Sequence, residues 1–375
     1  MKPGRCRQFL AALLLVSCVA CWGQEKRKVI IDQDAAGPGG TDQQSMLLLI
    51  QSPQTEVLGI TVVTGDQWLK AELAHTLRML ELIGRTDIPV AAGAEYPLVR
   101  RKAETEMWEQ RYGSVGWLGA WTPRFYHPAD QLGDVPEGIP TTKPLNEDAA
   151  HFLIHMVHQY PNQVTIYEGA PMTNLAMAIS IDPEFPRLAK ELVFMGGSLN
   201  PQTDDPEFIN TPRREFNLWF DPEAAHIVLR APWKKIVCTP VDISVKTQLT
   251  AELVKRIKAG HSAAAQYVAT YARLRGKYDY LWDELAAAAW LDPSLITDKQ
   301  IRYLDVNLDR GGNYGDTLSW AEANRPSLEA QPVEVQFDLD AKKFYDLFVD
   351  LLSAQTPQGR AGTAASRGRG RDAPR

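Results

Sequence analysis

The strongest constraint on this chain is its alternation of short apolar runs with stretches of helical periodicity. Apolar runs at 29–32, 57–63, 88–91, 164–167, 192–195 and 236–240 are separated by helix-patterned segments at 42–51, 68–83, 147–159, 173–180 and 222–230. Runs of this length, spaced by helical segments, are the pattern of βαβ units, which build a mostly parallel sheet covered by helices. The expected fold is α/β, a Rossmann-like open, mostly parallel sheet flanked by helices. In such sheets ligands sit outside the carboxyl ends of the strands, where loops lead into helices. That rule singles out the loops after Asp32, Val63 and Tyr167.

The rest of the chain fits around this frame. Residues 101–142 are Trp- and Pro-rich and weakly periodic, and read as an insertion near the mouth of the site. Trp108, Trp117 and Trp121 within it suit a ligand pocket, the core or a subunit contact. The pattern turns helical from 250 to 292, alternation returns in "RYLDVNLD" and "VEVQFDLD", and a last helix is expected around 344–352. An apolar share of 45% over 375 residues is enough for a full core, so residues 24–355 are expected to form one domain. The net charge of −6 gives no reason to expect nucleic acid or an anionic membrane as partner.

The first residues carry an address. Lys2, Arg5 and Arg7 precede an apolar run at 9–20 that is too short to span a bilayer comfortably, and small residues follow. This is the pattern of a signal peptide, here 1–23, and of an exported protein. Leu15-Val16-Ser17-Cys18 also resembles a bacterial lipobox, which would attach the protein to the membrane through lipid on Cys18. Three of the four cysteines lie in this leader. Cys238 remains, reads as a buried strand residue, and leaves no internal disulfide. The last residues, 356–375, are rich in Gly, Ala and Arg and read as a disordered tail.

Acidic residues mark the loops. Asp32 and Asp34 lie two apart at a strand end, where extended geometry points both to one side. Asp42 opens the next helix as an N-cap or as a ligand held over the N-terminus. Acids crowded at a strand tip repel each other unless a cation or proton intervenes, and oxygen ligands from separate loops suit Ca²⁺. Asp66 follows Gly65 past the second strand, Thr173 and Asn174 follow a Gly-Ala-Pro turn, and Asp283 heads an Ala-rich helix. Taken singly, each also reads as a cap or a solvated polar residue. Glu215 and Asn217 form a pair able to grip sugar hydroxyls.

Taken in order, these elements resemble the inosine–uridine-preferring nucleoside hydrolase family from about Lys28 to about Leu352. The family's D-x-D-P-G-x-D-D motif is matched by "DQDAAGPGGTDQQ" with extra loop residues. Its "GN" corresponds to Gly65-Asp66, its "G-P-L-T-N-[LI]-A" to "GAPMTNLA", and its "MGG" to Met195-Gly196-Gly197. "EFNLWFDPEAA" and "DELAAAAWLDPSL" match the later elements.

The resemblance implies hydrolysis of the N-glycosidic bond of ribonucleosides around one Ca²⁺. Its ligands would be the carboxylates of Asp34, Asp42 and Asp283 and the backbone carbonyl of Thr173, with Asp34 as general base. Thr41, Asp66, Asn210, Glu215, Asn217 and Trp282 would surround the nucleoside. Family members are commonly dimers or tetramers, and an exported member would suit purine or pyrimidine salvage outside the cytoplasm.

Three positions depart from the family pattern. Thr41 stands where the first Asp of the D-D pair contacts the ribose 2′-hydroxyl, and slipping the alignment by one would instead put Gln43 at a metal position. Asp66 replaces Asn. Trp282 replaces a His that assists the leaving base; an indole has no titratable proton near neutrality but stacks on a purine. These departures keep two other readings in view, an exported riboside-binding protein without catalysis and a hydrolase of a different N-riboside; the strand-end "DQD" suggests a third, a phosphatase with an aspartyl nucleophile, against which the ordered motif match argues.

Overall fold

The computed structural model describes residues 25–123, 126–326 and 329–359. The leader with Cys18, and the tail beyond 359, lie outside the described residues. Among the described residues nine strands form: β1 (Arg27–Gln33), β2 (Thr55–Val62), β3 (Val90–Ala92), β4 (Val164–Glu168), β5 (Glu191–Met195), β6 (Ile236–Thr239), β7 (Ile296–Val306), β8 (Thr317–Trp320) and β9 (Pro332–Leu339). They form one sheet in the order β3-β2-β1-β4-β5-β6-β9-β7-β8. The six expected strands are all present and pair in parallel, and β9 joins β6 in parallel. Antiparallel β7 and β8 close the far edge. Strand β8 has no apolar run in the sequence to announce it.

The alternation of β1 shows why the sheet is buried on both faces. Val29 and Ile31 join one core with the helices at Thr41–Gln51, Ala263–Tyr271, Asp283–Leu291 and Ala341–Ser353. Ile30, one residue out of phase, joins the other core with Phe152, Leu175 and Val228 from the helices opposite. Strands covered on both sides lose the polar alternation of an exposed sheet and read as continuous apolar runs. The chain reverses direction of growth between β1 and β4, so their carboxyl ends diverge and leave a crevice.

The insertion is more ordered than its weak periodicity predicts. Lys102–Tyr112 is a helix with only Thr105 buried, so it lacks the apolar stripe by which a helix is recognised. The three tryptophans there have separate fates. Trp121 is core, packed at 4.4 Å on Phe220. Trp108 packs on Tyr112 and under the Arg214 guanidinium. Trp117 alone reaches the cavity described next. Cys238 is buried in β6, as expected, and is the one cysteine among the described residues.

Candidate active site

A cavity of about 330 Å³ opens at the carboxyl ends of the strands. Its walls come from the segments after β1 (Asp34, Thr41, Asp42), after β2 (Asp66), after β4 (Gly169), at the end of β5 (Met195) and after β6 (Val241). Later segments add Glu215, Asn217, Trp282 and Asp283. Residues up to 249 positions apart in the chain thus converge where the topology predicts a ligand.

The two acids of "DQD" part company, against the expectation that they share a side. β1 ends at Gln33, so Asp34 is already outside extended geometry and turns into the cavity. Asp32 stays in the strand, fully buried, accepting hydrogen bonds from Thr61 Oγ1 at 2.5 Å and Asn174 Nδ2 at 2.8 Å. Asp42 is not a helix cap either. Gly40 occupies the cap position of Thr41–Gln51, and Asp42 is the second residue of the helix, within its first turn, buried and facing the cavity. Gln43 turns away, its Oε1 accepting from Gly39 N and Tyr267 Oη. The structure therefore brings Asp42, not Gln43, to the site.

Asp34, Asp42, Asp66 and Asp283 are acids in one cavity without a balancing cluster of cations. Burial holds Asp34 well above the usual carboxylate range, and the negative charges of Asp66, Asp42, Glu72 and Asp283 push it further. Asp42 and Asp283 are raised in the same way, burial first, and they are hydrogen-bonded to each other. Asp66 is raised by burial, while the Trp117 indole and Arg275 draw it back. Its Oδ1 accepts from Trp117 Nε1 at 2.5 Å, and its backbone N–H donates to Asp34 Oδ2 at 2.9 Å.

These hard oxygens are the donor type that Ca²⁺ takes, and the repulsion among them is the kind a cation relieves. Among the described residues no three His, Cys, Asp or Glu side chains are drawn together into a finished metal cluster. Thr173, whose carbonyl the sequence nominates, heads a buried helix and is fixed by its own hydroxyl donating to Asp221.

The remaining nominated residues divide clearly. Glu215 caps the Phe216–Phe220 helix and accepts three backbone amides, from Asn217, Leu218 and Gly197. Asn217 donates from Nδ2 to the Met195 carbonyl, and both side chains line the cavity. Thr41 lines it too, its hydroxyl donating to the buried Glu284 at 2.5 Å. Trp282 forms an aromatic wall with Tyr280 at 4.9 Å and Phe208 at 5.9 Å, both edge-on. Asn210, like Thr173, is not among the residues lining the cavity; it ends a short helix and is exposed. Its helix instead sends Glu207 and Phe208 inward.

Gln33 is the largest omission of the sequence reading. Fully buried, it accepts from Asp34 N and donates from Nε2 to the Asp42 carbonyl, Ser45 Oγ and Asp283 Oδ2. One amide therefore ties together the three loops that carry the central acids. The available signal was a polar residue at the end of an otherwise apolar strand. Gly116, Arg275 and Tyr278, from irregular segments, also line the cavity, as does Glu207 on its short helix.

A sequence model of the "Inosine-uridine preferring nucleoside hydrolase" family matches residues 29–346. The inosine-uridine preferring nucleoside hydrolase of Leishmania major is 29% identical over 337 residues, covering 87% of this chain and 97% of its own. The probable uridine nucleosidase 2 of Arabidopsis thaliana is 28% identical, covering 88% and 98%. Among solved structures, a plant nucleoside hydrolase superposes with a TM-score of 0.70 at 28% identity, covering 88% of this chain and 99% of that one.

Proposed function

Since this chain belongs to the inosine-uridine preferring nucleoside hydrolase family and is a ribonucleoside N-ribohydrolase, we propose that its cavity works with Ca²⁺ and prefers purine ribosides. The supporting observation is the composition of one cavity wall. Acids that suit a cation, polar groups that suit a sugar, and two indoles, Trp117 and Trp282, share a single space of about 330 Å³. An indole offers a large flat face on which a purine stacks better than a smaller pyrimidine.

In this reading Asp34, Asp42 and Asp283 would hold the cation with their carboxylates and Thr173 with its carbonyl. When bound, Ca²⁺ supplies positive charge that fixes and polarises the oxygens it touches. The chain's own groups do the rest. Asp34 takes the proton of the attacking water. Glu215, Asn217 and Thr41 position the ribose hydroxyls, and Glu215 enters this role already oriented by its three backbone amides. Asp66 anchors Trp117 through the indole N–H. Carboxylates around C1′ stabilise the positive charge that grows there as the base leaves. Trp282 and Trp117 enclose the departing base.

The test is kcat/KM for a panel of purine and pyrimidine ribonucleosides, after chelation and after adding back Ca²⁺ or Mg²⁺. Restoration by Ca²⁺ with purines ahead supports the reading; equal rates after chelation, or pyrimidines ahead, refute it. The basic and apolar leader further supports export, with lipid on Cys18 as the means of retention. The mass of the mature N-terminus checks both. Size-exclusion chromatography with light scattering checks the dimer or tetramer that family membership suggests.

A further inference from the structure

A base that leaves with the electron pair of its C1′–N bond departs faster if it receives a proton as the bond breaks. The cavity offers few groups able to give one. Asp34, Asp42 and Asp283 are committed to the cation end. Asp66 is held by the Trp117 indole, and Glu215 is occupied by three backbone amides. Asp205 caps the Pro206–Asn210 helix by accepting from Glu207 N.

Glu207 is different. Its carboxyl lines the cavity, yet among the described residues it has no hydrogen-bond or ion-pair partner. Its terminal atoms lie so close to Gly116 that a Cβ there would approach them to 2.8 Å. Gly116 precedes Trp117, and Phe208, the residue after Glu207, packs edge-on against Trp282. One helical turn thus sets a free carboxyl beside the segment carrying one indole and an aromatic ring against the other.

We propose that Glu207 is the catalytic acid that protonates the departing base. This rests on the reading of the cavity as a site for nucleoside cleavage with the base near the indoles. The C1′–N bond breaks with its electron pair passing to the base nitrogen. The Glu207 proton goes to the base, the water oxygen bonds to C1′, and the water's proton goes to Asp34. Exchange with solvent returns a proton to Glu207 and removes one from Asp34. The surroundings suit the task. Burial, then the charges of Asp205 and Glu215, push the Glu207 pKa up to about 7; Arg214 opposes this and Asp66 adds to it. Glu207 is therefore protonated below neutrality and loses its proton as pH rises through about 7.

The experiment compares the full chain with Glu207→Gln on two substrates across pH 5–9. One is the best-cleaved ribonucleoside of the panel, and the other is 4-nitrophenyl β-D-ribofuranoside, whose phenolate leaves without a proton. Glu207→Gln should lower kcat on the nucleoside roughly 100-fold and abolish the alkaline fall in kcat/KM. The nitrophenyl riboside should change less than about threefold, which also shows that the variant is folded. Equal losses on both substrates, or no loss on either, overturn the proposal. If the wild type cleaves the nitrophenyl riboside but no ribonucleoside, the reading of the site fails and the proposal with it.

Discussion

Replacing Asp32 by asparagine changes one oxygen in the structure and removes one buried charge. Asp32 Oδ1 accepts from Thr61 and Asn174, as an asparagine oxygen would, while Oδ2 faces the Glu168 carboxyl. Burial raises the Asp32 pKa from 3.8 to about 6. A raised folded pKa means that stability is full below about 3.8 and is lost as pH climbs through about 6. At 1.36 kcal/mol per pKa unit the loss is complete near pH 7 and amounts to about 3 kcal/mol. Asp32→Asn removes this term, so its melting temperature should exceed the wild type's by roughly 5 °C at pH 8. At pH 4 the two should coincide. The assay is thermal unfolding of both proteins in parallel from pH 4 to 8. A variant that is less stable than the wild type by the same amount throughout would refute the reasoning, because it would show that Asp32 contributes through its geometry and not through a buried charge.

Trp282→Ala should reduce kcat/KM for purine ribosides by about 1–3 kcal/mol of lost stacking, with a smaller effect on pyrimidines; steady-state rates on both classes check it. Gly65→Ala would place a Cβ 2.0 Å from Asp34 Oδ2, so it should cut kcat sharply, and comparing kcat with the circular dichroism spectrum separates this from unfolding. Calcium at 100 times its Kd should stabilise the chain by about 2.7 kcal/mol. Because Asp34, Asp42 and Asp283 have raised pKa values without metal, the metal-free chain loses stability as pH rises above the usual carboxylate range. The calcium-induced rise in melting temperature should therefore be larger at pH 8 than at pH 5, as thermal scans with calcium or chelator would show.

The sheet was legible because strands buried on both faces must be apolar throughout, and the six runs up to 240 all became strands. Asp34, Asp42 and Asp283 were legible as a group because motif order links segments that local pattern cannot. The separation of Asp32 from Asp34 was not, since it turns on β1 ending at Gln33. Gln33 escaped for a different reason: its bond to Asp283 spans 250 positions, and nothing near it in sequence signals the partner. Trp117, Trp121 and Trp108 share one weakly patterned segment, and only folding sorts them into cavity, core and surface packing. Glu207 and Asn210 lie on the same short helix with opposite fates, because a single turn offers too few residues for periodicity to tell inside from outside.

The central claim is that Asp34, at the tip of β1, activates water for cleavage of a ribonucleoside in a calcium-supported cavity. Its most direct test is free ribose released from inosine by the wild type and by Asp34→Asn, each in saturating Ca²⁺, with matched thermal melts. The account predicts calcium-dependent release by the wild type and a loss of roughly 10²–10⁴-fold in the variant. Release by Asp34→Asn within about tenfold of the wild type, a loss far below the range expected for a general base, would contradict it.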